Sequence, residues 1–312
     1  GGVNCGMEWA NNHAPGMDGP VSSLGFGDRK EGVYTPDHAG WWRRELMDAK
    51  YAGLSFVMPN VYGPDIEGDK LKPLADALAS IEDPIQLGMF DDSWTWGEPW
   101  FSDFWKQKPK LTEVEEAAHL IYEHKWKPFF SAIDRKHWFM FQGKPFIYLY
   151  NAGKLEPRAN ASPVFARMKE LFKADFGVEP FLSVDSAYFD DQRMPTVANA
   201  KFKWFTFQEK GKKFRSEMNG LVIDHAMPRW DSFGREKPGQ IAPSNGILQV
   251  KDGKVLQSVL DGSKDADLLI LATWDDLGEG TGINRSYDYF FDGYWQAPDV
   301  FMQMIRKSQS GK

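Results

Sequence analysis

The sequence predicts an α/β fold, a single (β/α)8 TIM barrel with long βα loops, and three observations carry that expectation. Eight short apolar runs are each bounded by turn residues, the pattern of strands buried on both faces. Amphipathic stretches with helix-start signals lie between several of them. The 312 residues suit one barrel of roughly 250 residues plus insertions. No linker long enough to separate two domains interrupts them, so one domain is expected over residues 1–312.

Taken in order, the first run, residues 3–9, is poor in apolar residues and is the weakest strand candidate. Thr35 then places an N-cap hydroxyl before Pro36 at the first helical position, predicting a helix to about Tyr51 with Gly53 beyond it. Runs two and three are residues 54–59 and 85–90. Thr112 and Glu115 have capping-box spacing ahead of Val114, Ala117, Ala118, Ile121 and Tyr122. Run four, 145–150, precedes a helix expected to start at Ser162 and Pro163 and to end at Phe176 before Gly177. Runs five to seven are 180–184, 202–207 and 221–223. Residues 208–264 are rich in Gly, Pro and charge and read as long loops. Run eight is 268–274, and residues 295–305 read as a last helix against the barrel. No repeat of fixed period appears.

Composition narrows the class. The 13 Trp, 10 Tyr and 23 Phe make 15% of the chain aromatic, which excludes disorder. A net charge of −7, from 37 Lys+Arg against 44 Asp+Glu, argues against binding nucleic acid through phosphates. Cys5 has no intrachain partner for a disulfide. The longest apolar runs fall far short of the ~20 residues of a membrane span. No charged segment followed by an apolar stretch opens the chain, but it starts at Gly1 without Met. A trimmed start and a removed signal peptide fit that, and a secreted or periplasmic location is expected. His119 and His124 stand five apart with no metalloprotease spacing, and no phosphate loop or nucleophile elbow is present. No cofactor and no metal are expected. The basic run at 210–215 reads as a solvated loop; it would matter as an anion site only for a sulfated or uronic substrate.

In such a barrel the chemistry lies where strands end and βα loops begin. The residues after the runs are Glu8 and Trp9; Asn60 and Tyr62; Asp91, Asp92, Trp94 and Trp96; and Asn151. Then come Asp185 and Tyr188; Gln208 and Glu209; Asp224, His225, Arg229, Trp230 and Asp231; and finally Asp275, Asp276 and Glu279. One rim would therefore collect carboxylates and aromatics together. Sugars present C–H faces that stack on rings and hydroxyls that bond carboxylates and amides. Glycosidic cleavage needs a carboxyl pair flanking the bond, one holding a proton and one ionised. The candidate substrate-binding residues are Asn60, Tyr62, Asp91, Asp92, Trp94, Trp96, Asp185, Tyr188, His225, Trp230 and Asp231. Any single aromatic is more often core, but Trp94 and Trp96 follow an Asp pair in a polar loop. His225 suits either a substrate hydroxyl or a structural hydrogen bond.

The strongest segment runs from Leu268 to Ile283. An apolar strand delivers Asp276 and Glu279, three apart, into a turn holding Gly278, Gly280 and Gly282. Repulsion between two carboxylates on one turn would raise one pKa. An acidic, glycine-bearing turn could also bind calcium, though the EF-hand spacing is absent. Residues 273–280, Thr-Trp-Asp-Asp-Leu-Gly-Glu-Gly, resemble the late-strand signature of glycoside hydrolase family 71, close to Thr-Trp-Asn-Asp-(aromatic)-Gly-Glu-Ser. They are also similar to the Asn-Glu-Trp-x-Glu-Gly segment of family 99, and residues 227–231 resemble the preceding loop of these barrels. Asp275 stands where the families usually have Asn, and Asp276 is one methylene shorter than the family 99 Glu. The resemblance implies a (β/α)8 barrel acting on α-linked glycans, with Asp276 as base or first carboxylate and Glu279 as general acid.

The expected activity is thus hydrolysis of an α-linked polysaccharide or oligosaccharide, with carbohydrate as the partner and no nucleic acid or membrane span. Two alternatives stay open: a non-catalytic glycan-binding barrel, and a metal-assisted hydrolase using Asp91, Asp92 or Asp276. Sugar, linkage, stereochemical outcome and oligomeric state are not legible.

Overall fold

The computed structural model describes residues 2–6, 38–60, 71–98, 102–204, 213–228, 230–231, 247–248, 253–274, 282–285, 290–291 and 294–309. Eight parallel strands form the central sheet: β1 Gly2–Gly6, β2 Phe56–Asn60, β3 Met89–Asp92, β4 Lys144–Tyr150, β5 Phe181–Asp185, β6 Ala200–Phe202, β7 Leu221–Ala226 and β8 Leu268–Leu271. Hydrogen bonding runs β6-β5-β4-β3-β2-β1-β8-β7. Lys213–Met218 then pairs antiparallel with β7. The His225 ring on β7 meets the Lys203 carbonyl beyond β6 at 2.9 Å, so the two ends of the row come together. All eight expected strands are present; the sixth sits earlier than the run 202–207 suggested.

Alternation divides the side chains of each strand between two cores. Inward go Phe56 and Met58, Phe90, Phe146 and Tyr148, Phe181, Phe202, Ile223 and Ile270, which fill the lumen. Outward go Val57, Met89, Ile147, Leu149, Leu182, Val184, Leu269 and Leu271, which meet the helices. Each buried Phe contributes roughly 1.5–3 kcal/mol. That is why the strands read as unbroken apolar runs. Gly88, just before β3, leaves the room its neighbours use: a Cβ there would lie 3.0 Å from Met58 and 3.2 Å from the Phe146 carbonyl.

The helices are α1 Ala39–Tyr51, α2 Lys72–Ala79, α3 Val114–Ile121, α4 Lys127–Ala132, α5 Ala161–Phe176, α6 Met194–Val197, α7 Lys254–Gly262 and α8 Val300–Gln309. Gly177 ends α5 with φ 72°, as its sequence position predicts. The start of α5 is capped from outside: Asp191 accepts from the Ser162 backbone N–H at 2.9 Å. The capping box at Thr112 does not form. A turn bonds the Glu113 N–H to Lys110 and pins Leu111 to Glu156, so α3 begins one residue later with Glu113 at its cap. The last helix also begins later than expected. Tyr294–Trp295 pairs with Phe290–Phe291, and Pro298 disfavours helix at the residue before it. Within 208–264, expected as loops, α7 and the strand Lys213–Met218 are ordered elements. Among the described residues no helix is long and apolar enough to cross a membrane.

Candidate active site

The last inward residues of β2, β3, β4, β5 and β7 stand at the C-terminal mouth. These are Asn60, Asp92, Tyr150, Asp185 and His225, with Trp204 two residues past Phe202 on the same face. Asn60 and Asp92 meet across β2 and β3, Nδ2 donating to Oδ2 at 3.4 Å. The Trp94 backbone N–H holds the other Asp92 oxygen at 2.8 Å. Burial pushes the Asp92 carboxyl up to about 6, against the lowering pull of Lys125. Asp185 accepts from Ala187 N–H at 2.9 Å and Asn151 N–H at 3.4 Å, and burial raises it too. A carboxyl held near 6 can keep a proton or give it up close to neutrality, which suits binding hydroxyls in either sense.

Asp91 belongs elsewhere, which corrects its assignment to the rim. It follows Met89 on the outward face and bonds Lys125 at 3.0 Å and the Trp126 indole at 2.7 Å. A strand sends neighbours to opposite faces, so the Asp91–Asp92 pair cannot share one cleft. Asp91 is therefore lost to the metal reading as well as to substrate binding. Lys125 lies between α3 and α4, in a widened turn where the Lys127 N–H reaches back to Tyr122. Pro128 has no N–H to keep the ordinary helical ladder there. Lys125 also donates to the Asp92 carbonyl.

Three further expectations are corrected by burial. Trp96 is 0% exposed, packed 4.6 Å from Trp105 and against Phe104, and presents no free face to a sugar. Tyr188 is 0% exposed, edge-on to Phe165 in the helical layer. His225 is 0% exposed; its Nδ1 meets the Lys203 carbonyl and burial lowers its pKa to about 4, so its bond is structural. Asp224, noted after run seven, faces outward. Arg215 holds it by two contacts of 2.9 Å and Lys213 by a third, so this part of the basic run is an ion-pair cluster rather than a solvated loop. Burial alone would raise Asp224, but these bonds bring it below the usual range.

Trp94 stays half-buried on the rim side of β3. Trp230 and Asp231 form a short backbone pairing with Ile247–Leu248. Tyr62, Asp276 and Glu279 lie outside the described residues. The reading by strand ends passed over Tyr150 and Trp204, both half-buried at the mouth. Alternation would have found them: Phe146, Tyr148 and Tyr150 share one face, as do Phe202 and Trp204.

Residues 31–310 match the model of a domain of unknown function, DUF5010. No curated protein matches the sequence. A GH99 endo-α-mannosidase from Bacteroides thetaiotaomicron superimposes with a TM-score of 0.59 at 14% identity, over 90% of this chain and 82% of that one. A GH99 endo-α-mannosidase structure from the same organism, in complex with bis-tris-propane, gives 0.60 at 13% identity, over 99% and 96%. A glycoside hydrolase-like protein gives 0.60 at 13%, over 98% and 93%. The likeness is one of fold, a GH99-like (β/α)8 barrel.

Proposed function

The chain belongs to the DUF5010 family, and from the fold and mouth of this member we propose that it is a glycoside hydrolase cleaving α-linked glycans. Glu279 is the general acid. Asp276 is the partner carboxylate, acting as base, as nucleophile or on the sugar's own 2-hydroxyl. Asn60, Asp92 and Asp185 hold sugar hydroxyls, Trp94 lends an indole, and Tyr62, Trp230 and Asp231 remain candidates for the loops above them. An extracellular or periplasmic site of action goes with a polymeric substrate.

One observation carries the reading. Inward carboxyls and half-buried rings converge at the C-terminal end of the barrel, and β8 runs toward that same end with residues 273–280 directly after it in sequence. A pair of acids beside a polar, ring-lined cleft is the arrangement that glycosidic cleavage asks for. The carboxyl separation of Asp276 and Glu279 then bears on outcome: about 5–5.5 Å suits a retaining nucleophile and about 6.5–9.5 Å an inverting water.

The test is a panel of α- and β-linked glycans, with products read by mass and anomeric NMR. Glu279→Gln is expected to cut kcat by at least about 100-fold, with the circular dichroism and glycan affinity of the parent. A fully active Glu279→Gln enzyme would sink the assignment.

A further inference from the structure

Trp204 occupies an unusual place in the barrel. Its ring centroid lies 5.8 Å from that of Phe90 on β3, 4.7 Å from Tyr150 on β4 and 5.6 Å from His225 on β7. It also packs against the small cluster of Met227 and Ala272, the latter being the residue that follows β8. One indole therefore spans the lumen between strands on opposite sides. Beneath it the lumen is full: Phe90, Tyr148 and Phe202 are buried, with Tyr148 stacked on Phe202 at 3.6 Å. Trp204 and Tyr150 alone of this stack keep part of their surface in solvent. They mark the level at which packing stops and the mouth begins.

We propose that Trp204, backed by Tyr150, is the stacking floor of the barrel mouth, and that the subsite above it takes an uncharged pyranose ring. This rests on the glycoside hydrolase reading and specifies its substrate. An aromatic face at the base of a cleft receives the C–H face of a ring, and the groups beside it select what the ring carries. Here those groups are Asn60 with Asp92, and Asp185, all buried at the mouth. Lys154 and Arg158, the described cations on the loop after β4, are engaged with acids. Lys154 is bound to Glu98, and Arg158 to Glu156 and Asp190. A uronic or sulfated ring would meet Asp92 and Asp185 with no free cation among these to offset the repulsion.

The test is calorimetric titration of the whole chain with neutral α-linked trisaccharides of glucose and of mannose, beside α-linked trigalacturonate. A neutral trisaccharide is expected to bind and trigalacturonate is not. Trp204→Ala should weaken the neutral ligand by about tenfold or more, and Trp204→Phe should restore most of it. Tryptophan fluorescence gives a second readout should Trp204→Ala fail to fold: the sugar-induced change seen in the parent should shrink in Trp204→Phe, leaving what Trp94 and Trp230 contribute, while binding persists. Unchanged affinity in Trp204→Ala, an undiminished fluorescence change in Trp204→Phe, equal binding of trigalacturonate, or no binding of any neutral sugar would each overturn the proposal. Binding without turnover in the parent upholds the stacking floor and removes only hydrolysis.

Discussion

Asp92 shows what a buried carboxyl costs its protein. It is 5% exposed, and burial holds its pKa at about 6 where an unfolded chain has 3.8. A folded pKa above the unfolded one means the folded state binds more protons between those values, so this group's contribution falls as pH rises. Its stability is fully present below about pH 4 and is lost by the time pH passes 6. Asp92→Asn keeps an oxygen for the Trp94 N–H but has no charge to bury. The variant should therefore be more stable than the parent at pH 8, by about 3 kcal/mol, with the gain shrinking toward pH 4. Urea midpoints at the two pH values check this; a gain independent of pH would count against it. Asp91 and Asp92 also show where sequence reading stops. Their identities were legible as a rim signal, and period-two alternation alone says only one of them can face the mouth. Which one it is depends on the strand's phase, and Met89 and Phe90, both apolar, do not reveal it.

Between strand and helix, the joint from α3 to α4 is held by charge. Lys125 is fully buried and its ammonium is shared between the Asp91 carboxylate and the Asp92 carbonyl, while Trp126 donates to the other Asp91 oxygen. Replacing Lys125 by Met leaves Asp91 buried with its cation gone, and such losses cost about 3–5 kcal/mol. Lys125→Met should lower the urea midpoint accordingly, and Lys125→Met combined with Asp91→Asn should recover part of it. Equal stability of Lys125→Met and the parent would mean that the pair contributes nothing. None of this was legible, because an apolar-periodic helix gives no sign that one of its lysines turns inward. The end of α5 was legible, since Gly177 alone relieves a left-handed φ. The capping box at Thr112 failed for a reason beyond the local sequence: its flank is tied to Glu156, 45 positions away from Leu111 in the chain.

Across the whole molecule, the barrel itself could be read because its eight strands are buried on both faces and so appear as runs of one kind. Their order around the barrel follows from right-handed crossovers between parallel neighbours. The closure could not be read: β7 gains the antiparallel strand Lys213–Met218, and that strand's cations clamp Asp224 on the outer face. Two cores then run through the described parts of the chain. The lumen draws side chains from β2 to β8, and the outer core joins α1, α2, α3, α5, α7 and α8 to all of those strands but β6. Neither core can be lost without unpacking the strands that carry both. The whole chain should therefore unfold as one cooperative unit, with near-ultraviolet circular dichroism, which reports the packed rings, and far-ultraviolet dichroism, which reports the helices, giving superimposable urea transitions. Two separated transitions would divide the chain into independent domains and overturn the expectation of one domain over residues 1–312.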